Sequence, residues 1–288
     1  MRYISTEIGS SRKFGSDREI VKTFKDSGFT AYDYSFFQGW AGCADILKGD
    51  DYLQRAKEFR AFADGLGIVC NQTHAPFPSI LLRDSEYTQK VYPLLVRAIE
   101  VSGVLGAKVC VVHPCNDYSA EQNAEFYLSL EEVARKSNVK IGVENMWNSI
   151  GYGTREFRAV AAACSHHDDF KKHLDLLPDD VFVACVDIGP AHMEGLDTSA
   201  AQIIQTLGSR VAALHLHDID LIHDNHSLPF TQKIDYAPII TALKKVGYQG
   251  DITLEADAFF SHVPKELFPA AAKYAAAVAN YFKESLEK

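Results

Sequence analysis

The chain has 288 residues, 47% of them apolar and 23% charged, with a formal net charge of −9. The acidic balance argues against a general nucleic-acid binder, which needs clustered Lys and Arg to neutralise phosphates. No run of about 18 apolar residues occurs, so no apolar helical membrane span is expected.

Short apolar runs alternate with longer amphipathic stretches. A strand at 2–8 (RYISTEI) is followed by a helix over 17–27, opened by Ser16-Asp17 and ended by Gly28. A strand at 30–34 leads to a helix over 51–66 that Gly65 and Gly67 end. Strands at 68–74, 108–113 and 139–144 alternate with helices over 86–105 and 121–137. A helix is expected at 154–164, then a polar connection over 168–178 (DDFKKHLDLLP) into a strand at 181–187. Helix 198–207, strand 211–216, helix 235–246 (ended by Gly247), strand 251–255 and an Ala-rich helix over 264–286 complete the chain. Continuous Val- and Ile-rich strands fit parallel strands covered on both faces. Eight strands alternating with eight helices predict one domain over 1–288, an α/β single (β/α)8 TIM barrel. A doubly wound sheet would favour a Gly-rich phosphate turn after the first strand, and "EIGSSRKFGS" does not read as one.

A barrel of this kind carries its chemistry at the C-terminal strand ends. Those ends are His74, His113, Glu144, Asp187, His215 and Glu255. Six successive strands thus finish in a side chain able to bind a metal. Glu144, Asp187 and Glu255 crowded at one mouth would repel one another, and a divalent cation would offset that charge. Oxygen ligands with an imidazole suit Mn, Mg, Co or Zn alike.

In "ALHLHDID" (213–220), His215 and His217 share one face of the strand. His215 lies at the depth of the other strand ends and is expected as the ligand, with His217 on the rim. Asp218 is a candidate partner for an imidazole. In "HDNHSLPF" (223–230), Asp224 and His226 are spaced to reach one point, for a substrate or a second metal. His192 in "VDIGPAHMEG" lies five residues past Asp187. Trp147 is a candidate platform for a sugar face, and Trp40 ("FFQGWAG") and Phe77 ("APFP") are candidates for an apolar wall.

The segments "IGVEN" (141–145), "VDIGPAH" (186–192), "HLHD" (215–218), "DNHSLPF…KIDYAPIITALKKVGYQG" (224–250) and "ITLEA" (252–256) resemble the xylose isomerase-like superfamily of sugar isomerases and epimerases. In ketose 3-epimerases of this group one metal is held by Glu, Asp, His and Glu, which match Glu144, Asp187, His215 and Glu255 here. The resemblance implies that Glu144 and Glu255 are also the acid–base pair. It places His74, His113, Trp147, His192, Asp218, Asp224 and His226 as substrate-binding or secondary positions. The group's "D-x-x-H" pattern is broken, because Pro190 fills the His slot and His192 comes two residues later.

The function so implied is a metal-dependent sugar isomerase or epimerase. It would move a proton next to the carbonyl of a small ketose or polyol-derived ketone, with dehydration of a keto-inositol as a variant. Related apurinic endonucleases use a trinuclear zinc cluster. Most of those ligand types occur here, which keeps a zinc-dependent phosphodiester hydrolase as the alternative. No Gly- or Arg-rich phosphate site is evident, so an unphosphorylated sugar or polyol is expected as partner. A homo-oligomer through the last helix is left open. The first residues lack a signal peptide's basic start and apolar core. The six cysteines form no CxxC pair. Free thiols and a cytoplasmic location are therefore expected.

Overall fold

The computed structural model describes residues 2–37, 42–82 and 84–288; Trp40 lies outside them. The strands are β1 Ile4–Thr6, β2 Ala31–Ser35, β3 Val69–His74, β4 Val109–Val112, β5 Lys140–Glu144, β6 Asn148–Ile150, β7 Arg158–Val160, β8 Phe182–Asp187, β9 Val211–His215 and β10 Ile252–Leu254. Strands β2, β3, β4, β5, β8 and β9 form one parallel sheet in that order, and β1 pairs with β10 in a parallel two-stranded sheet. Single bridges, Glu7–Asp33 and Leu216–Leu254, tie this pair to both edges of the larger sheet. The continuous eight-stranded ladder expected from the sequence is therefore present as six strands plus two, joined at single bridges.

The helices are α1 Asp17–Ser27, α2 Tyr52–Leu66, α3 Ser85–Leu105, α4 Ala120–Ser129, α5 Glu131–Ser137, α6 His167–Asp175, α7 Ala200–Leu207, α8 Ala237–Lys245, α9 Asp257–Ser261 and α10 Phe268–Glu287. Helix α1 begins as its sequence requires. The Ser16 hydroxyl accepts from the Glu19 amide at 3.4 Å, and Glu19 accepts from the Ser16 amide at 2.8 Å. Such a cap contributes about 1 kcal/mol.

One helix is displaced from its expected place. Residues 154–164 hold β7, antiparallel to β6, and the stretch expected as a polar connection forms α6. The alanines of 161–163 gave the first segment a helical look. In α6 only Phe170, His173 and Leu174 are buried, a narrow i, i+3, i+4 stripe amid charges. The helix expected over 121–137 is divided at Leu130, whose amide donates three residues back to the Tyr127 carbonyl.

Side-chain alternation places the site. In β8, Val183 and Cys185 join Val109, Val111 and Ala213 in a small inner cluster, while Phe182, Ala184 and Val186 pack outward in the main core. Continuing the two-residue period puts Asp187, His113 and His215 on the inner face. Ile141 and Val143 face outward, as do Ile252 and Leu254, so Glu144 and Glu255 face in. Leu214 and Leu216 pack outward, which explains the apolar approach to His215 at the end of β9 and His217 just beyond it. All six cysteines are free. No helix among the described residues is long and apolar enough to cross a membrane.

Candidate active site

A cavity of about 320 Å³ opens at the C-terminal strand ends, and its lining includes His74, His113, Glu144, Asp187, Asp224 and Glu255 but, among the described residues, no Lys or Arg. A larger cavity of about 700 Å³ lies at the opposite end, around Lys108, Lys140 and Tyr248, and contains none of these groups.

The floor of the smaller cavity is a buried cluster of two carboxylates and three imidazoles. His215 Nδ1 contacts Glu144 Oε1 closely and lies 3.0 Å from Glu255 Oε2. The His74 ring stands between the same carboxylates, with Nδ1 3.2 Å from Glu255 Oε1 and Nε2 3.6 Å from Glu144 Oε2. His113 Nε2 is 2.9 Å from Glu144 Oε2. Burial raises both carboxyls, but the His215 imidazole, with His113 beside Glu144 and His74 beside Glu255, outweighs it and holds them well below the usual range. Burial lowers His74, and the two glutamates reverse this and lift it to about 10. Burial dominates at His113, which is lowered.

A second group lies beside the first. His217 Nε2 is 2.7 Å from Asp187 Oδ1 and 3.6 Å from Asp224 Oδ1, and its ring stacks on His226 with centroids 4.1 Å apart. Asp224 Oδ2 accepts from the Trp147 indole at 2.9 Å and lies 3.3 Å from His226 Nε2. Burial lifts the Asp187 carboxyl to about 6, with His217 opposing.

The expected four-ligand set is thus divided. Glu144, His215 and Glu255 meet in one cluster, whereas Asp187 faces His217. His217 is fully buried rather than on the rim, because the inner-face register carries it under the loop that follows. Two further expectations give way. Both oxygens of Asp218 are taken by the backbone amides of Ile219, Gln232 and Ile234 at 2.9–3.0 Å, so it fastens the loop after β9 and is not free for substrate. His192 Nδ1 turns back to the Ile188 carbonyl at 2.9 Å, away from the clustered acids.

The donor set fits a divalent cation. Glu144 Oε2, Asp224 Oδ1 and both ring nitrogens of His217 are buried with no aligned hydrogen-bond partner, although several have polar neighbours at short range. Such atoms cost about 1–3 kcal/mol each when left open. His74, His113 and Glu144 bring ligand atoms within 4.8 Å of one another, as do His74, His215 and Glu255, and as do His217, Asp224 and His226.

Over residues 21–282 the sequence matches the family described as xylose isomerase-like TIM barrel. The chain belongs to that family. It is 27% identical over 201 residues to the uncharacterized protein MJ1311 of Methanocaldococcus jannaschii, an alignment that takes in 63% of this chain and 62% of the relative's length. Among solved structures it is similar to a D-tagatose 3-epimerase-like protein (TM-score 0.71, 18% identity, 99% of this chain and 98% of the other). It is also similar to a D-psicose 3-epimerase crystallised in the presence of D-fructose (0.72, 12%, 97% and 98%) and to an L-ribulose 3-epimerase (0.70, 15%, 100% and 96%). At these identities the likeness is one of fold.

Within this xylose isomerase-like frame, three site residues escaped the sequence reading. Asp33 and Gln72 lie beneath His215 inside the sheet. Their signal was a polar residue within a strand, Gln72 two positions before His74 on the same face. Asn145 is the third. Its side chain donates to the Asp187 carbonyl at 2.9 Å and accepts from the Asp187 amide at 2.8 Å, which fixes the end of β8.

Gly189 makes room for His217. A Cβ there would lie 2.0 Å from His217 Cε1. Gly189→Ala is expected to force the imidazole from Asp187 and to destabilise the fold by about 1–3 kcal/mol. A urea midpoint equal to that of the parent would show that this contact is not needed.

Proposed function

We propose that the protein is a cation-dependent sugar isomerase or epimerase, acting on the carbonyl carbon's neighbour in a small, unphosphorylated ketose or polyol-derived ketone. The observation that carries this reading is the pair Glu144 and Glu255, two buried carboxylates on either side of the His74 ring at the floor of one cavity. One carboxylate takes the carbon-bound proton and the other returns a proton, as an inversion of configuration or a shift of the carbonyl requires. A Mn, Mg, Co or Zn ion held by Glu144, His215 and Glu255, with Asp187 turned from His217 to join them, would supply a Lewis-acid charge for the negative charge that develops on the carbonyl oxygen. In this reading His74 and His113 would hydrogen-bond hydroxyls, and Trp147 and Phe77 would wall the ring. Asp224 and His226 hold the far side. The volume is at the small end of ligand pockets and suits a monosaccharide. Among the described residues the lining has no Lys or Arg to pair with a phosphate. The named activities of the fold's neighbours support the same chemistry. We read the six strands and the β1–β10 pair as one eight-membered ring, and the free thiols as belonging to a cytoplasmic protein.

The test is solvent-deuterium exchange across a panel of ketoses and keto-inositols with Mn²⁺ present. Exchange at one carbon next to a carbonyl is expected, and loss of water instead would identify a dehydratase. Exchange with no member would overturn the reading. A cation here also has to compete with protons. Burial pushes the Asp187 carboxyl up to about 6 and, against burial, the glutamates raise the His215 imidazole, so Mn²⁺ affinity is expected to fall by at least about tenfold per pH unit below 6. Calorimetric titration at pH 5, 6 and 7 checks this, and an affinity flat across that range would remove Asp187 from the ligand set.

The phosphodiester hydrolase is favoured by one observation, the three neighbouring groups of ligand atoms. Metal analysis separates the two readings. About one ion per chain fits the isomerase, and two or three tightly held zinc ions with cleavage of abasic DNA would reverse the order.

A further inference from the structure

We propose that the cavity at the N-terminal end of the strands is a second binding site, for a small sugar phosphate. The buried amides of Asn71 and Gln72 take its hydroxyls, and the ammonium groups of Lys108 and Lys140 take its phosphate. The site is separate from the clustered acids at the opposite mouth.

Barrels of this kind fill their interior mainly with branched apolar side chains. Val109, Val111, Val183 and Ala213 do so on one side here. The other side is polar, with Ser5, Asp33, Asn71, Gln72 and Thr253 all at most 5% exposed. A β-bulge contributes to this. Tyr32 pairs with Cys70 and Asp33 with Gln72, so Asn71 is the extra residue of β3. Successive strand residues ordinarily point to opposite faces, but here both amides turn inward. Asn71 Nδ2 donates to Thr253 Oγ1 at 3.2 Å and Gln72 Nε2 to Asp33 Oδ2 at 2.9 Å. Both residues line the cavity of about 700 Å³. Asn71 Oδ1 is buried there with no hydrogen-bond partner. Leaving such an acceptor open is unfavourable, and a ligand hydroxyl entering from the cavity would supply the donor.

The rim supplies the charge. Lys108 stands just before β4 and Lys140 opens β5, side by side, with the Lys140 amide donating to the Lys108 carbonyl at 2.9 Å. The acids of the same mouth are already engaged. Asp251 Oδ1 accepts from the Tyr3 amide at 2.8 Å, and its Oδ2 is 3.9 Å from Lys108 Nζ, beyond hydrogen-bond reach. Arg135 holds both oxygens of Asp180, at 2.6 and 3.1 Å, so that pair neutralises itself. Lys140 forms no ion pair among the described residues. Two ammonium groups thus flank the cavity with donors to spare, and a phosphate is the anion that uses several donors at once. The volume falls within the roughly 300–1,000 Å³ of ligand pockets and has room for a hexose phosphate. Because the clustered carboxylates and imidazoles are absent from this lining, the ligand is held there and not converted.

Calorimetric titration of the full chain with D-fructose 6-phosphate and with D-ribulose 5-phosphate tests the site. Saturable binding of at least one is expected, weakened by added salt. Lys108→Ala and Lys140→Ala are each expected to weaken it about tenfold. Both lysines are exposed, so these variants keep the fold. Inorganic phosphate, which has no hydroxyls for the amides, is expected to bind about tenfold more weakly than the sugar phosphate. The side-chain amide resonances of Asn71 and Gln72, followed by ¹H–¹⁵N NMR, are expected to shift as the sugar phosphate is added. Any binding of D-fructose itself belongs to the other mouth and should be the same in the parent and both lysine variants. No saturable binding of either sugar phosphate would overturn the proposal. So would an affinity unchanged in the doubly substituted Lys108→Ala, Lys140→Ala protein, or one lost in Glu255→Gln, which would move the ligand to the opposite mouth. Inorganic phosphate binding as tightly as the sugar phosphates, with the two amide resonances unmoved, would show that the amides do not read the ligand.

Discussion

Glu255→Gln is expected to lower the rate of solvent exchange into the substrate by on the order of 10²–10⁴-fold, the range for loss of a positioned acid or base. The substitution keeps the shape and removes the charge. Its amide has no basicity to take a proton from carbon, and no acid to return one. The fold is expected to survive with reduced stability, because glutamine keeps the shape but gives up the ionised partner of His74 and His215. Glu144→Gln should behave similarly, with an added loss at His113. Isotope uptake measured by mass spectrometry, alongside circular dichroism, provides the check. Parent-like exchange in both variants would show that the paired carboxylates do not move the proton.

His215→Leu is expected to cost about 3–5 kcal/mol in the metal-free protein at neutral pH, the usual penalty for stripping a buried charge of its partner. Glu144 and Glu255 would then face each other without the ring that separates them. Their carboxyls are held well below the ordinary range in the parent. The stability they contribute is therefore present above the unfolded-state value and is lost as pH falls through the folded-state one. The deficit of His215→Leu should be largest above about pH 5 and should shrink in acid, where both glutamates take up protons in the variant. Urea unfolding at pH 4 and pH 7 tests the sign. A deficit that grows in acid would refute this account of the cluster.

Much of the site was legible because strand alternation is strict. Once Val109, Val111, Val183 and Ala213 are assigned inward, His113, Asp187 and His215 must follow them. Glu144 and Glu255 obey the same rule. The difficulties began where periodicity ends. Asp218 looked like a ligand partner because it follows two histidines, but its fate depends on amides 14 and 16 residues away, which no local spacing reveals. His217 looked like a rim residue because a loop of unknown path covers it. Helix α6 was mistaken for a connection because its buried stripe is only three residues wide, whereas 161–163 offered alanines with no partner surface. Nothing local singles out Asp33, a lone acid between two tyrosines, or Gln72, one of four successive polar residues in β3, and only their shared approach to His215 does so.

The fastening of the loop after β9 has an effect on recognition. One carboxylate, Asp218, gathers amides from its own neighbour and from the far end of the segment that carries Asp224 and His226. The freedom that this stretch would otherwise keep is surrendered when the chain folds, not when a guest molecule arrives. Arrival then requires little reordering on this side of the mouth, and discrimination among guests falls to shape and to the few polar atoms already in place.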